Sequence, residues 1–223
     1  FVPEPYWQIK AKSDFDIIAN HVEDKIFDEE RAKRIFKECQ GADATVTGVK
    51  INETVRKPPI PFNLGGLQSE AHTVFGFSPK RTQVAAQNLY VGGYTSYPRT
   101  SSQKLPESLG FKEIFAGLAK DEEFKKHIFD LPATLKPNEG KKDDAAHPAI
   151  HPTGVLPSNL SPDEAKIYRL IVYRFISVFS EDSKLETMKV NLNVNNEKFT
   201  FTRKRVSHEG WLKQKKIKKQ EAD

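Results

Sequence analysis

Hydrophobic positions along this chain follow two different periods. From Tyr6 the run YWQIKAKSDFDIIANHVEDKIFD begins by alternating apolar and polar residues, which suits a strand. DEERAKRIFKECQG switches to helical spacing, with acids in its first turn, bases later and Gly41 placed to stop it. ATVTGVKINETVRK returns to period two and predicts a strand with Val49, Ile51 and Val55 on its buried side. Lys57, Pro58 and Pro59 then form a stiff break, because prolines in series end both ladders and helices.

Beyond the break the helical period dominates. NLGGLQSEAHTVFGF predicts a helix with Leu64, Leu67, Ala71, Val74 and Phe75 in one stripe. SPKRTQVAAQNLYVGG predicts a second, with Ser78 as N-cap, Pro79 at its first position and Gly92–Gly93 at its stop. GYTSYP follows as a short strand, so the order helix, helix, strand matches a winged-helix domain. ESLGFKEIFAGLAKDEEFKKHIF is helical and KPNEGKKDDAA is a mobile loop. SPDEAKIYRLIVYRFISVFS is the strongest helix, capped by Ser161 and Pro162, with a stripe through Ile167, Leu170, Ile171, Phe175 and Val178. TMKVNLNVNNEKFTFTRKRV closes as a hairpin turning at Asn195–Asn196, with Val190, Leu192 and Val194 on one side and Phe199 and Phe201 returning. Strand-rich ends around a helix-rich middle give the expected fold: α+β and multidomain, a discontinuous β domain with a winged-helix-like helical domain inserted.

Composition changes this picture little. The chain has 223 residues, enough for one large or two smaller cores, with ordinary apolar content. No apolar run approaches the ~20 residues of a membrane span, and no secretory leader is visible. The single cysteine, Cys39, excludes an internal disulfide and a cysteine-based metal cluster, and suits a reducing cytoplasm. The only methionine is Met188 and the chain opens mid-phrase at Phe1, as a piece of a longer protein does. A net charge of +5 permits a polyanionic partner, with much of the excess in the closing LKQKKIKKQEAD, a solvated tail.

The segment with chemical promise is GYTSYPRTSSQKLP, Gly93 to Pro106. Pro98 pushes Tyr97 extended, so Tyr97 and Arg99 are expected on one side with Thr95 behind them. A free phenol, with a pKa near ~10, is a poor nucleophile; an adjacent guanidinium favours the phenolate and binds phosphate oxygens bidentately. Thr100, Ser101, Ser102 and Lys104 suit neighbouring phosphates. Lys80 and Arg81 open a helix, where phosphate contact and simple solvation are equally open. His147 and His151 lie four apart, but each precedes a proline and is pushed extended, so a helical zinc pair is not expected. The acidic runs DEE and KDDAA are a helix start and a loop, and no metal site is assigned. Gln68 and Glu70 are candidate contacts of the tyrosine strand, and His72 is a structural histidine.

LYVGGYTSYPRTSSQKLP resembles the active-site segment of the type IA DNA topoisomerases, in which a glycine, a short strand, the catalytic tyrosine, one residue, an arginine and a threonine follow in order. AHPAIHPTG resembles the family's His-x-Ala-Ile-x-Pro-Thr/Ser segment, PFNLGGLQSEA its lead into the same domain, and FVPEPYW the start of its gate domain. The wording is most similar to archaeal members or to the topoisomerase half of reverse gyrase. The resemblance implies that Tyr97 cuts one DNA strand and joins its 5′ phosphate, that Arg99 places tyrosine and phosphate, and that His147 hydrogen-bonds near that phosphate. His151 stands where some relatives carry arginine. It implies residues 1–59 and 181–223 as a gate domain, residues 60–180 as the catalytic domain, and a Toprim domain elsewhere holding the Mg²⁺ of the full-length enzyme. DNA, preferentially single-stranded, is the implied partner, and the nucleoid-bearing cytoplasm the location. Two rivals remain: a non-catalytic winged-helix module for duplex DNA, and a type II topoisomerase or tyrosine recombinase, against which Ser96 stands where type II enzymes place arginine.

Overall fold

Asn195 and Asn196 both take left-handed backbone, with φ of 48° and 69°, as a two-residue hairpin turn requires. They join β4 (Ser183–Val194) to β5 (Glu197–His208) in the computed structural model, which describes residues 3–214. With β1 (Lys10–Lys12), β2 (Ile18–His21) and β3 (Ala44–Arg56) they form a five-stranded sheet in the order β1-β2-β5-β4-β3. The β1–β2 and β2–β5 pairs are antiparallel. The architecture is α+β. The part of LKQKKIKKQEAD from residue 215 on, and Phe1 and Val2 of FVPEPYW, lie outside the described residues.

Tertiary contacts divide the chain into two compact units. One runs up to Thr54 and includes Lys184–Ser207; the other is Val55–Ser183 with the residues from His208 on. In the first, Ala19, Val194 and Phe199 form a core with Leu192, Phe201 and Cys39 against them. Helix α1 (Glu29–Cys39), capped by the Asp28 side chain, buries Ala32 and Ile35 beside Ile26 and Trp7. The outer strand corrects one expectation. Val49, Ile51 and Val55 are 55%, 60% and 51% exposed, because β3 is an edge strand. Alternation says that a face is apolar, not that something covers it.

In the second unit α6 (Pro162–Phe179) runs through the core, with a complete capping box between Ser161 and Glu164. Its expected stripe understates it: Val172, Tyr173, Ile176 and Phe179 are buried as well. Around it pack α2 (Leu64–Phe75), burying Leu67 and Ala71, and α3 (Pro79–Val91), burying Thr82, Ala85, Ala86 and Leu89. Ser78 caps α3 and Gly92 ends it. The predicted long helical stretch is broken in three: a 3-10 turn at Glu107–Leu109, α4 (Phe111–Leu118) and α5 (Glu122–Phe129). Gly110, at φ 71°, makes the first break and Asp121 caps the next helix. Among the described residues no helix is long and apolar enough to cross a membrane.

Candidate active site

Three irregular pieces of chain are laced together beside α2 and α3. The piece before α2 bridges the third at Phe62↔Ile150, and the segment after α3 bridges it at Thr95↔Pro152. The expected GYTSYP strand is reduced to that single bridge. Its remaining bonds are specific. The Ser96 amide donates to the His151 carbonyl at 2.9 Å, and the Ala149 amide to the Lys104 carbonyl at 2.8 Å. The His151 amide donates to the Ser96 hydroxyl at 3.0 Å. The Thr100 hydroxyl donates to the His147 carbonyl at 3.2 Å, and the Leu64 amide to the Thr100 carbonyl at 3.1 Å. Backbone pinned on both sides of Tyr97 holds that residue in place without a regular strand.

Tyr97 is half-buried and Arg99 exposed, while Thr95, Pro98 and Thr100 are buried. One bridge does not impose a strand's alternation, and burial here does not simply alternate along the segment. The neighbours of the phenol are rings. His147 lies 4.7 Å away between centroids, tilted by 47°, and Tyr90 meets it edge-on at 5.3 Å. Arg99 makes no hydrogen bond or ion pair among the described residues, Tyr97 included. Tyr90, at the end of α3, escaped the sequence reading. Gly93, at φ 76°, folds the chain back so that residues seven apart meet; the glycine pair was the available signal.

Several expected phosphate contacts are committed elsewhere. Thr100 is 3% exposed and spends its hydroxyl on His147. Lys104 pairs with Glu139 at 3.2 Å, and Glu139 also accepts from the Leu105 amide at 2.6 Å. Arg81 forms a bidentate pair with Asp163, at 2.6 and 2.7 Å, over the ring of Phe77. Ser101 is exposed and contacts Asp144 at 3.3 Å; Lys80 is exposed at the start of α3. His151 is 7% exposed, with Nδ1 2.8 Å from the Ala149 carbonyl and its ring near Phe175. Burial holds its imidazole below the ordinary pKa, which favours the neutral form. KPNEGKKDDAA is tied down rather than loose: Asn138 donates to Val178 and Gly140 to Gln103 through their amides, and Asp144 accepts from the Ala146 amide. The Ala146 amide, with the Ser101 and His147 amides, holds the Asp144 carboxyl below its usual range. Glu70 pairs with Arg174, and the Gln68 side-chain amide donates to the Pro79 carbonyl.

Residues 1–223 match the family model described as DNA topoisomerase. The chain is 60% identical over 212 residues to DNA topoisomerase 1 of Methanothermobacter thermautotrophicus, covering 95% of this chain and 30% of that protein. It is 46% identical over 220 residues to DNA topoisomerase 1 of Pyrococcus horikoshii, covering 95% of this chain and 32% of the relative. Among solved structures, full-length topoisomerase I from Thermotoga maritima superposes with a TM-score of 0.66 at 26% identity, covering 97% of this chain and 36% of that one. The chain thus spans about a third of the length of these relatives. By that match, and by the structure it shares with a topoisomerase I, the chain belongs to the type IA DNA topoisomerases.

Proposed function

We propose that this chain is the strand-cutting part of a topoisomerase that opens one DNA strand and reseals it without ATP. The observation that carries the reading is a half-exposed Tyr97, seated on His147, in a segment whose backbone is pinned on both sides. The Tyr97 hydroxyl attacks the scissile phosphorus as it loses its proton. The bond to the 3′ oxygen breaks, that oxygen takes a proton as a free 3′ hydroxyl, and the 5′ phosphate remains on tyrosine. Religation is the reverse, using the energy kept in the ester. Arg99, without a hydrogen-bond or ion-pair partner among the described residues, turns to the non-bridging oxygens, where charge gathers in the transition state; losing such a donor costs about 3–4 kcal/mol of barrier. His147 donates a hydrogen bond beside the same phosphate.

We assign residues 1–59 and 181–223 to a gate domain and 60–180 to a winged-helix-like insertion built on α2 and α3. DNA is the partner, single strands preferred, in the cytoplasm on the chromosome. We assign the magnesium ion to the remainder of the parent enzyme. No step above passes through it, and the chain alone is expected not to relax supercoils.

The test is covalent capture in the full-length parent. DNA labelled at its 3′ end should travel with the protein after denaturation, DNA labelled at its 5′ end should not, and Tyr97→Phe should abolish capture while the fold is kept. An adduct that survives Tyr97→Phe places the nucleophile elsewhere, and one that retains the 5′ label shows joining to the 3′ phosphate instead and refutes the proposed polarity. Duplex binding without any adduct would favour the winged-helix module instead.

A further inference from the structure

Successive residues of a strand point to opposite sides of a sheet, and in this sheet the carboxylates fall on one side only. Lys10 stands opposite Asn20 and Lys12 opposite Ile18 across β1–β2, and Asn20 opposite Thr200 across β2–β5. The Asn195–Asn196 turn pairs Val194 with Glu197, which puts Glu186 across from Arg205; those two form an ion pair at 2.6 Å. Gly48 faces Asn191, and the Ser183 hydroxyl donates to the Arg56 carbonyl. That sets β3 antiparallel to β4 and brings Lys50 across from Lys189. Alternation then places Lys10, Lys12, Lys50, Lys189, Lys198 and Lys204 on a single face, and each of them is exposed.

The opposite face takes the acids. Glu53, Glu186 and Glu197 are the carboxylates of the strands, and all three fall on the side of the core residues Ala19, Val194 and Phe199. There they are paired, with Lys184, Arg205 and His21 respectively. On the lysine face Lys12 reaches Asp16 of the β1–β2 turn at 2.8 Å. The other five lysines have no carboxylate partner among the described residues. Lys50 and Lys189 directly opposite one another repel, and Lys204 is diagonal to Lys189, so this arrangement costs stability rather than adding it. Asparagines and threonines lie between the lysines, with Ile18, Val46, Leu185 and Val206 toward the margins, and the strands contribute no Phe, Tyr or Trp to this face.

From this we infer a binding surface for the sugar–phosphate backbone of duplex nucleic acid on the lysine face of the sheet, separate from Tyr97. Cations without opposing carboxylates meet phosphates, amide and hydroxyl groups supply further phosphate contacts, and sequence is not read. Absence of aromatic platforms on the strands removes the stacking by which proteins hold single strands. Twelve residues of β4 extend about 40 Å, roughly one turn of duplex. The surface stands or falls apart from the cutting reading, because no covalent step enters its test.

Fluorescence anisotropy of this chain with a labelled 20-base-pair duplex, from 50 to 200 mM salt, decides it. K50Q/K189Q/K204Q should weaken binding at least tenfold at 100 mM. It should also flatten the slope of log affinity against log salt by up to about 2.7, three contacts at about 0.9 each. R203Q/R205Q, on the other face, should shift affinity less than threefold. K50Q alone should flatten the slope by up to about 0.9, which keeps the test open if the triple variant misfolds. The inference is overturned if the chain binds no duplex at 50 mM salt, or if the lysine variants keep the slope. It is equally overturned if the arginine variant loses as much, or if poly-glutamate competes as well as unlabelled duplex at equal charge.

Discussion

Gly117→Ala opposes two effects whose sizes can be compared. In a helix interior alanine is favoured over glycine by about 1 kcal/mol, so α4 viewed alone predicts a gain. The packing reverses the sign. A Cβ on Gly117 would lie 2.2 Å from the carbonyl oxygen of Gly154 and 2.8 Å from its carbonyl carbon. Ordinary separation requires a shift of about 1 Å, because carbon and oxygen settle near 3.3 Å. The obstacle is backbone, which has no rotamer to change. Gly154, at φ 90°, is itself confined, since a Cβ there would meet Ile114 at 3.0 Å. Overpacking of this kind costs about 1–3 kcal/mol. The displaced segment also carries Thr153, whose amide donates to Tyr94 at 3.1 Å and whose hydroxyl donates to Gly93 at 2.7 Å, each bond worth about 1 kcal/mol net. The sum is a loss near 2 kcal/mol, or roughly 4–8 °C in melting temperature for a chain of this size. Thermal unfolding followed by circular dichroism measures it, with Gly65→Ala as the comparison: Gly65 lies in α2 with nothing within 4 Å of its would-be Cβ, and should hold or gain stability. A Gly117→Ala protein as stable as its parent would refute the argument.

Two further outcomes follow from buried charge. Arg174 pairs with Glu70, donates to the Ile60 carbonyl at 2.8 Å and lies over Phe62 at 4.0 Å; burial draws its pKa down to about 10, which leaves it charged at neutral pH. Arg174→Met, which breaks the ion pair with Glu70 and the bond to the Ile60 carbonyl, should cost about 3–5 kcal/mol, and adding Glu70→Met should recover part of that; additive losses in denaturant titrations would contradict it. His127 and His151 both have folded pKa values lowered chiefly by burial. The unfolded chain therefore binds more protons, so their contribution is full above about pH 6.5 and declines as pH falls through that value. The drop in melting temperature between pH 7.5 and 5.5 should shrink in His151→Asn, and an unchanged drop would show that His151 is not its source.

Much of this molecule depends on neighbours in sequence, and that much was legible without a structure. Helix caps at Asp28, Ser78 and Ser161 bond within three residues of themselves, and the Asn195–Asn196 turn requires only its own backbone. The order Tyr97, Pro98, Arg99, Thr100 likewise carries the family likeness in its letters. Which groups are occupied was decided by partners far along the chain. Lys104 meets Glu139, Arg81 meets Asp163 and Thr100 meets His147, and no local pattern announces such pairs. His151 became a core residue because α6 packs against it, and Tyr97 gained Tyr90 because Gly93 turned the chain back. Burial behaves in the same way: period two marked Val49 and Ile51 as apolar, but only the place of β3 at the edge of its sheet left them exposed. Residue order determines what each segment can form alone, whereas exposure and pairing are properties of what the rest of the chain brings alongside.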